Sequence, residues 1–131
     1  MKHIKLMNRV LDNAKLLMIE KNRTRMSAIV VNNSGKIISI GNNNYYKTHP
    51  IQKHFAMKSG YSEYASYLHA EISALVKCRK KPYAIYVGRV LKNDKTAYAK
   101  PCPICMRAIT ESGIKKIYYT NNNEEISEII L

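Results

Sequence analysis

Two short segments of the chain carry residue types that can bind a metal ion or move a proton. They are HAE at residues 69–71 and PCPIC at residues 101–105. Cys102 and Cys105 lie three positions apart at the start of a predicted helix, so both side chains share one face and can meet at one point. The positive end of the helix dipole favours their thiolate forms. The pair therefore predicts two sulfur ligands for a single metal ion.

His69 completes a set of three protein ligands with Cys102 and Cys105. Structural zinc sites are closed by four protein ligands, whereas catalytic zinc sites leave the fourth position to water. A neutral imidazole and two thiolates balance the charge of Zn²⁺, which can then lower the pKa of a bound water towards neutrality. Glu71 lies two residues beyond His69 and is placed to take the proton of that water and pass it on. The pattern predicts a catalytic zinc centre with Glu71 as general acid and base.

Two other interpretations of these residues remain open. Cys102 and Cys105 alone are typical of a glutaredoxin-like redox motif. That motif, however, belongs to the first part of a βαβ unit near the N-terminus, and it leaves His69 and Glu71 without a role. The second alternative is a non-enzymatic module that binds zinc or nucleic acid. The Glu71 carboxylate and the missing fourth protein ligand argue against it.

A purely structural zinc site needs a fourth ligand from elsewhere in the chain. Cys78 is the only other cysteine. At 1.5 Å per residue it lies more than about 10 Å beyond the start of the helix that His69 opens. We therefore expect Cys78 to be a small buried hydrophobic residue and not a ligand.

Helices must position both segments for this chemistry to work. Pro103 is favoured at the first position of a helix and Gly113 lies where a C-terminal cap belongs, so we expect a helix between them. Another helix is predicted from His69 to about Arg79. The other elements predicted from hydrophobic spacing and turn residues are a helix over 2–21, strands over 25–31, 36–40, 83–90 and 114–120, and a tail over 121–131 that fits either a short helix or an edge strand.

Residues 41–68 form the longest connection between predicted elements. The segment is polar and aromatic, and we expect a helical turn around residues 52–57. A connection of this length inside a small domain is usually functional. The order of the elements predicts helices packed on a mixed sheet, and hence one layered α/β domain over residues 1–131.

Composition limits the class of protein. The chain has 131 residues with 22 Lys and Arg against 9 Asp and Glu, which gives a formal charge of +13. An apolar content of 46% excludes a disordered polyelectrolyte, and no stretch approaches the roughly 18 consecutive apolar residues of a membrane span. Residues 1–20 lack a small-residue cleavage site and do not predict a secretory signal. Three cysteines without such a signal predict a reducing, cytoplasmic compartment.

The positive charge is compatible with an anionic partner but does not identify it. Basic residues often mark nucleic-acid binding, because they neutralise phosphates and release counterions. Here they are spread over every segment, with the densest cluster at residues 77–81. The chain is also rich in Lys (16), Ile (16) and Asn (12), which an A/T-rich genome over-supplies. A polynucleotide, a small phosphorylated substrate and a compositional bias without function all remain open.

HAEISAL at residues 69–75 and PCPICMRAI at residues 101–109 resemble the cytidine deaminase-like superfamily, in particular a short, phage-type form of its deoxycytidylate deaminase branch. The combination of H-x-E with P-C-x-x-C is the signature of zinc-dependent nucleobase deaminases. Residues 41–43 are similar to a G-x-N element after the second strand, and residues 113–119 are similar to the strand after the C-x-x-C helix. The resemblance extends over residues 25–120.

The resemblance implies a three-layer α/β/α sandwich with a mixed five-stranded central sheet, and a Zn²⁺ cofactor. It implies hydrolytic deamination of a cytosine ring, with dCMP to dUMP favoured: zinc hydroxide attacks C4, and Glu71 shuttles protons to ring N3 and to the departing ammonia. Backbone groups at Ala70 and Cys102 are expected to hold the base, and Asn43 the sugar. The positive charge favours a nucleotide over a neutral nucleoside. Deamination of cytosine or adenine in single-stranded DNA or RNA is the alternative, and a homo-oligomer is also implied.

The number of residues between Asn43 and His69 is larger than in the compact members of the superfamily. The intervening residues, 44–68, number 25, and such an insertion is typical of deoxycytidylate deaminases. Some of those enzymes bind a second, structural zinc through extra His and Cys ligands. The insertion holds His49 and His54 but no cysteine, so we expect no second zinc.

The same insertion supplies two candidates for substrate contact. Lys47 and Tyr46 lie near the expected mouth of the site and are candidates to contact a phosphate and a base. Exposed Lys and Tyr side chains in loops are more often simply solvated, and this second interpretation also stays open.

Overall fold

The sheet is built from segments rich in Ile, Val, Tyr and Thr, whose branched or aromatic side chains pack well on a pleated surface. A computed structural model describes residues 2–19, 24–61 and 67–131. The helices are α1 (Lys2–Lys15), α2 (Pro50–Lys58), α3 (Ala70–Lys77) and α4 (Pro103–Glu111). The strands are β1 (Arg25–Val31), β2 (Ile37–Asn42), β3 (Ala84–Val90), β4 (Thr96–Ala97), β5 (Lys116–Thr120) and β6 (Ile126–Ile130).

Five strands lie side by side in the order β2-β1-β3-β5-β6, and β4 pairs with β3 outside this path. All pairs are antiparallel except β3 with β5, which is parallel. The prediction of a mixed sheet is confirmed, with a sixth strand of two residues added to the five expected. Two residues leave no periodicity in a sequence, which is why β4 could not be predicted. The ambiguous tail is an edge strand, β6.

Helices cover both faces of the sheet. Successive residues of a strand point to opposite faces, so Ile29 of β1 packs with Met7 and Val10 of α1. The next residue of β1, Val30, belongs to the cluster on the other face, which includes Ala74 of α3. Helix α4 also packs on this second face. The three-layer α/β/α arrangement is thereby confirmed.

Gly41 allows α3 to lie directly against β2. A Cβ atom added at Gly41 would lie 2.3 Å from the backbone nitrogen of Ala74 and 2.5 Å from the carbonyl oxygen of Ala70. Both distances are too short for any side chain. Gly41 therefore allows the short distance between β2 and the helix that carries the HAE segment.

The first helix is shorter than its hydrophobic pattern predicts. It ends at Lys15, and Leu16 and Met18 beyond it are 85% and 80% exposed. Met18 is the last residue of the predicted helical pattern, and its exposure shows that it has no surface to pack against. The last two residues of the predicted helix, 20 and 21, lie outside the described residues.

The long connection contains a nine-residue helix, α2, where only a helical turn was expected. Pro50 occupies its first position, which suits the fixed φ of proline. His49 caps it, because its Nδ1 atom accepts a hydrogen bond from the backbone N–H of Ile51 at 3.0 Å. His49 is thus used to start a helix. Within the described part of the chain, no helix combines the length and the apolar composition needed to span a bilayer.

Candidate metal centre and active site

The N-terminal ends of α3 and α4 bring the two sequence segments together. His69 is the N-cap residue of α3, and Cys102 is the N-cap residue of α4. Pro103 begins α4 and places Cys105 one turn into it, on the same face as Cys102. Both helices lie on the same side of the sheet, so their starting points converge.

The three predicted ligands form one compact group. The His69 Nδ1 atom lies 3.2 Å from the Cys105 Sγ atom and 3.6 Å from the Cys102 Sγ atom. All three ligand atoms lie within 4.8 Å of one another. Tetrahedral zinc with ordinary Zn–N and Zn–S bond lengths separates its N and S ligands by about 3.6 Å. The group therefore has the composition and the spacing of a three-ligand zinc site, and it is the one such cluster among the described residues.

The two cysteines carry different charges in the absence of a metal. A hydrogen bond from the Cys105 thiol, together with the contact to His69, lowers the pKa of Cys102 to about 4. The pKa of Cys105 is raised by the thiolate of Cys102 and by burial. One thiolate is therefore already formed at neutral pH, and the second forms when a cation replaces the shared proton.

Glu71 lies beside this group and is 2% exposed. Burial raises the pKa of its carboxyl above the ordinary value, and this effect outweighs the opposing effects of the Glu71 backbone N–H and the charge on His69. A buried carboxyl whose pKa lies above the ordinary value is suited to general acid and base chemistry.

A pocket of about 310 Å³ opens onto the metal-binding group. Its lining contains most of the residues predicted to act in the site: Asn43, His69, Ala70, Glu71 and Cys102. Ala70, the first residue of α3, is fully buried within this lining. Glu71, His69 and Cys102 thus line one cavity of small-molecule size.

The Asn43 side chain also fixes the chain that enters β1. Its Oδ1 atom accepts a hydrogen bond from the backbone N–H of Met26 at 3.1 Å, and its Nδ2 atom donates to the carbonyl oxygen of Thr24 at 2.9 Å. An asparagine amide has two N–H donors, so one donor is left for a ligand. Asn43 therefore lines the pocket with its orientation fixed in advance.

The two candidates from the insertion lie elsewhere. Lys47 and Tyr46 are exposed, Tyr46 by 81%, and neither lines the pocket. Their proposed contacts with substrate stay predictions. Cys78 is half-buried at the end of α3, where its thiol donates to the carbonyl oxygen of Lys80 at 3.1 Å. It is outside the metal-binding group, as expected, but less buried than predicted.

The pocket lining includes seven residues that the sequence did not predict, among them Tyr67, Arg89 and Lys100. Tyr67 lies against His69, with ring centroids 4.6 Å apart, and Arg89 and Lys100 add positive charge to the lining. Lys100 could have been found from its position immediately before the PCPIC segment. Arg89 could have been found because it is a charged residue in an otherwise apolar strand. Nothing in the sequence indicates a role for Tyr67, because only the folded chain brings it next to His69.

A metal-binding His-Cys-Cys group beside a buried carboxylate, in a three-layer α/β/α fold, defines the class of zinc-dependent deaminases. The family described as the cytidine and deoxycytidylate deaminase zinc-binding region has a model that matches residues 1–121. The chain belongs to this family, and zinc is its cofactor.

Solved structures support the fold. A cytidine deaminase from Burkholderia pseudomallei is 19% identical with a TM-score of 0.67, over 99% of this chain and 93% of that chain. The dCMP deaminase of cyanophage S-TIM5 is 25% identical with a TM-score of 0.55, over 90% of this chain and 79% of that chain. A cytidine deaminase from Mycobacterium tuberculosis is 13% identical with a TM-score of 0.55, over 90% and 83% of the two chains. No curated protein matches the chain significantly.

Proposed function

We propose that the chain catalyses the hydrolytic deamination of a cytosine nucleotide, with dCMP to dUMP as the favoured reaction. The observation that carries the proposal is the buried Glu71 carboxyl beside the His69, Cys102 and Cys105 ligands, in a pocket of about 310 Å³. The 25% identical cyanophage enzyme, whose structure was solved in complex with dCMP and dUMP, supports this choice of substrate.

Zinc held by His69, Cys102 and Cys105 supplies Lewis acidity that makes water a nucleophile at neutral pH. Glu71 accepts a proton from the attacking water and delivers it to ring N3 of the cytosine. The proton of the hydroxyl group now on C4 then passes by way of Glu71 to the 4-amino group, which leaves as ammonia, and the oxygen left on C4 becomes the carbonyl oxygen of the ring. The buried setting of Glu71 suits this role, because it stabilises the protonated carboxyl in the interval between accepting a proton and delivering it.

The remaining walls of the pocket bind and orient the substrate. Backbone groups at Ala70 and Cys102 hold the base from the helix ends, and the Tyr67 ring supplies an aromatic surface beside His69. Asn43 donates its remaining amide N–H to the sugar. Because Cys102 and Cys105 must stay reduced to bind zinc, we place the enzyme in the cytoplasm. A homo-oligomeric state remains a prediction.

The test is product formation against a panel of substrates with the zinc-loaded protein. The panel contains dCMP, CMP, deoxycytidine, cytidine, single-stranded DNA and adenosine-containing RNA, with ammonia and the deaminated product both quantified. We expect dCMP to give the highest kcat/KM. Deamination confined to the oligonucleotides, with salt-dependent binding to them, would replace this proposal with the polynucleotide alternative. Absence of ammonia from every cytosine substrate would overturn it.

A further inference from the structure

Arg89 introduces a cation into the wall of the substrate pocket. The residue is half-buried and lines the same cavity as Glu71 and His69. Lys100, which is exposed, lies on the lining as well. A half-buried arginine in an active-site cavity needs an anion, because removing a charge from water is unfavourable without a partner.

The register of β3 explains why Arg89 faces the active site. Its neighbour Gly88 faces α1, since a Cβ atom there would lie 2.9 Å from Val10 Cγ1 and 3.0 Å from Leu11 Cδ2. Successive strand residues point to opposite faces, so Arg89 points to the face that carries α3 and α4. It pairs across the sheet with Met26, another residue of the pocket lining.

The guanidinium of Arg89 is left largely unsatisfied by the protein. Its Nε atom is buried and has no hydrogen-bond partner. Its Nη1 atom makes one long hydrogen bond, 3.4 Å, to the carbonyl oxygen of Tyr98. No carboxylate of the described residues lies within ion-pair distance of it. A guanidinium has five N–H donors, and the hydrogen bond to Tyr98 uses only one of them.

We propose that Arg89, assisted by Lys100, binds the phosphate monoester of a mononucleotide substrate. Arginine presents paired N–H donors that match phosphate oxygens, and lysine adds a second positive charge. A cavity of about 310 Å³ lies at the lower end of the range for small-molecule sites, which favours a mononucleotide over a polynucleotide. This assignment rests on the proposed function and explains how a nucleotide is preferred over a nucleoside.

Binding of unreactive products tests the assignment without catalysis. Calorimetry measures dUMP and deoxyuridine binding to the zinc-loaded wild type and to the Arg89→Gln, Arg89→Lys, Lys100→Gln and Lys92→Gln variants. Lys92 is exposed and outside the pocket lining, so Lys92→Gln matches the change in net charge. We expect the wild type to bind dUMP at least about 30-fold more tightly than deoxyuridine. Arg89→Gln should reduce this preference to about threefold or less, with Arg89→Lys and Lys100→Gln intermediate and Lys92→Gln unchanged.

Three results would overturn the assignment. One is a wild type that does not prefer dUMP, and another is an Arg89→Gln variant that loses affinity for dUMP and deoxyuridine equally. The third is tighter, Arg89-dependent binding of a deoxyuridine oligonucleotide without a terminal phosphate, which would identify internal phosphates as the ligand. Ammonia release from dCMP is measured separately on the wild type. Its absence would reject the proposed reaction, while an Arg89-dependent preference for dUMP would still support the phosphate site.

Discussion

The side-chain oxygen of Gln52 accepts a hydrogen bond from the backbone N–H of His69 at 3.0 Å. Gln52 is fully buried on α2, and its Nε2 atom has no hydrogen-bond partner. His69 precedes α3 and carries the metal-binding imidazole. The hydrogen bond from its backbone to Gln52 therefore holds His69 in place against the inserted helix α2. The insertion between β2 and α3 therefore supports the metal site directly.

Replacing Gln52 tests this support. Gln52→Leu removes the acceptor and leaves the His69 N–H unsatisfied, so we expect the affinity for zinc to fall about tenfold. Competition with a chelating dye measures that affinity, and Gln52→Glu, which keeps an oxygen acceptor, should retain more of it. A purely structural role predicts the opposite pattern, in which the metal-free protein loses thermal stability and zinc affinity stays unchanged.

Thiol modification reports metal binding at Cys102. In a Cys78→Ser background, the half-exposed Cys102 of the metal-free protein should react with an alkylating reagent, because its pKa of about 4 keeps it as the thiolate. Zinc should slow this reaction at least about 100-fold, since a coordinated sulfur is a poor nucleophile. Peptide mass spectrometry identifies the modified residue. Equal rates with and without zinc would show that Cys102 is not a ligand.

The raised pKa of Tyr86 predicts that the free energy of unfolding falls at alkaline pH. Burial raises the pKa of this residue from 10.0 to about 12, so the folded protein retains a proton that the unfolded chain releases. The stabilisation is therefore complete below pH 10 and is lost as the pH rises through about 12. Denaturant unfolding between these values should show a shallower pH dependence for Tyr86→Phe than for the wild type. Tyr61→Phe, at an exposed position, is the matched control, and identical slopes for both variants would contradict the prediction.

Local features of the site could be predicted from sequence because short-range geometry determines them. Cys102 and Cys105 share a helix face at any position in the fold, and Pro103 marks the start of that helix. The strand pattern of β3 likewise follows from alternation of apolar residues. Each of these features depends on a few neighbouring residues, so it could be predicted before the fold was known.

The support of the site could not be predicted, because tertiary packing determines it. Gln52 lies 17 positions before His69, and nothing in its own neighbourhood indicates a buried acceptor. Tyr67 likewise meets the His69 ring only once the fold is formed. Arg89 is recognisable in the sequence as a charged residue of an otherwise apolar strand, but only the fold shows that it lines the cavity with Glu71.

The Glu71→Gln variant tests the proposed role of Glu71 as a proton carrier at a zinc site. Zinc content and dCMP deamination are measured on the same preparation, with the exposed Glu125→Gln as control. We predict that Glu71→Gln keeps its zinc and loses at least about 1,000-fold in kcat, while Glu125→Gln retains both zinc and activity. A zinc-loaded Glu71→Gln protein with wild-type kcat would contradict the account.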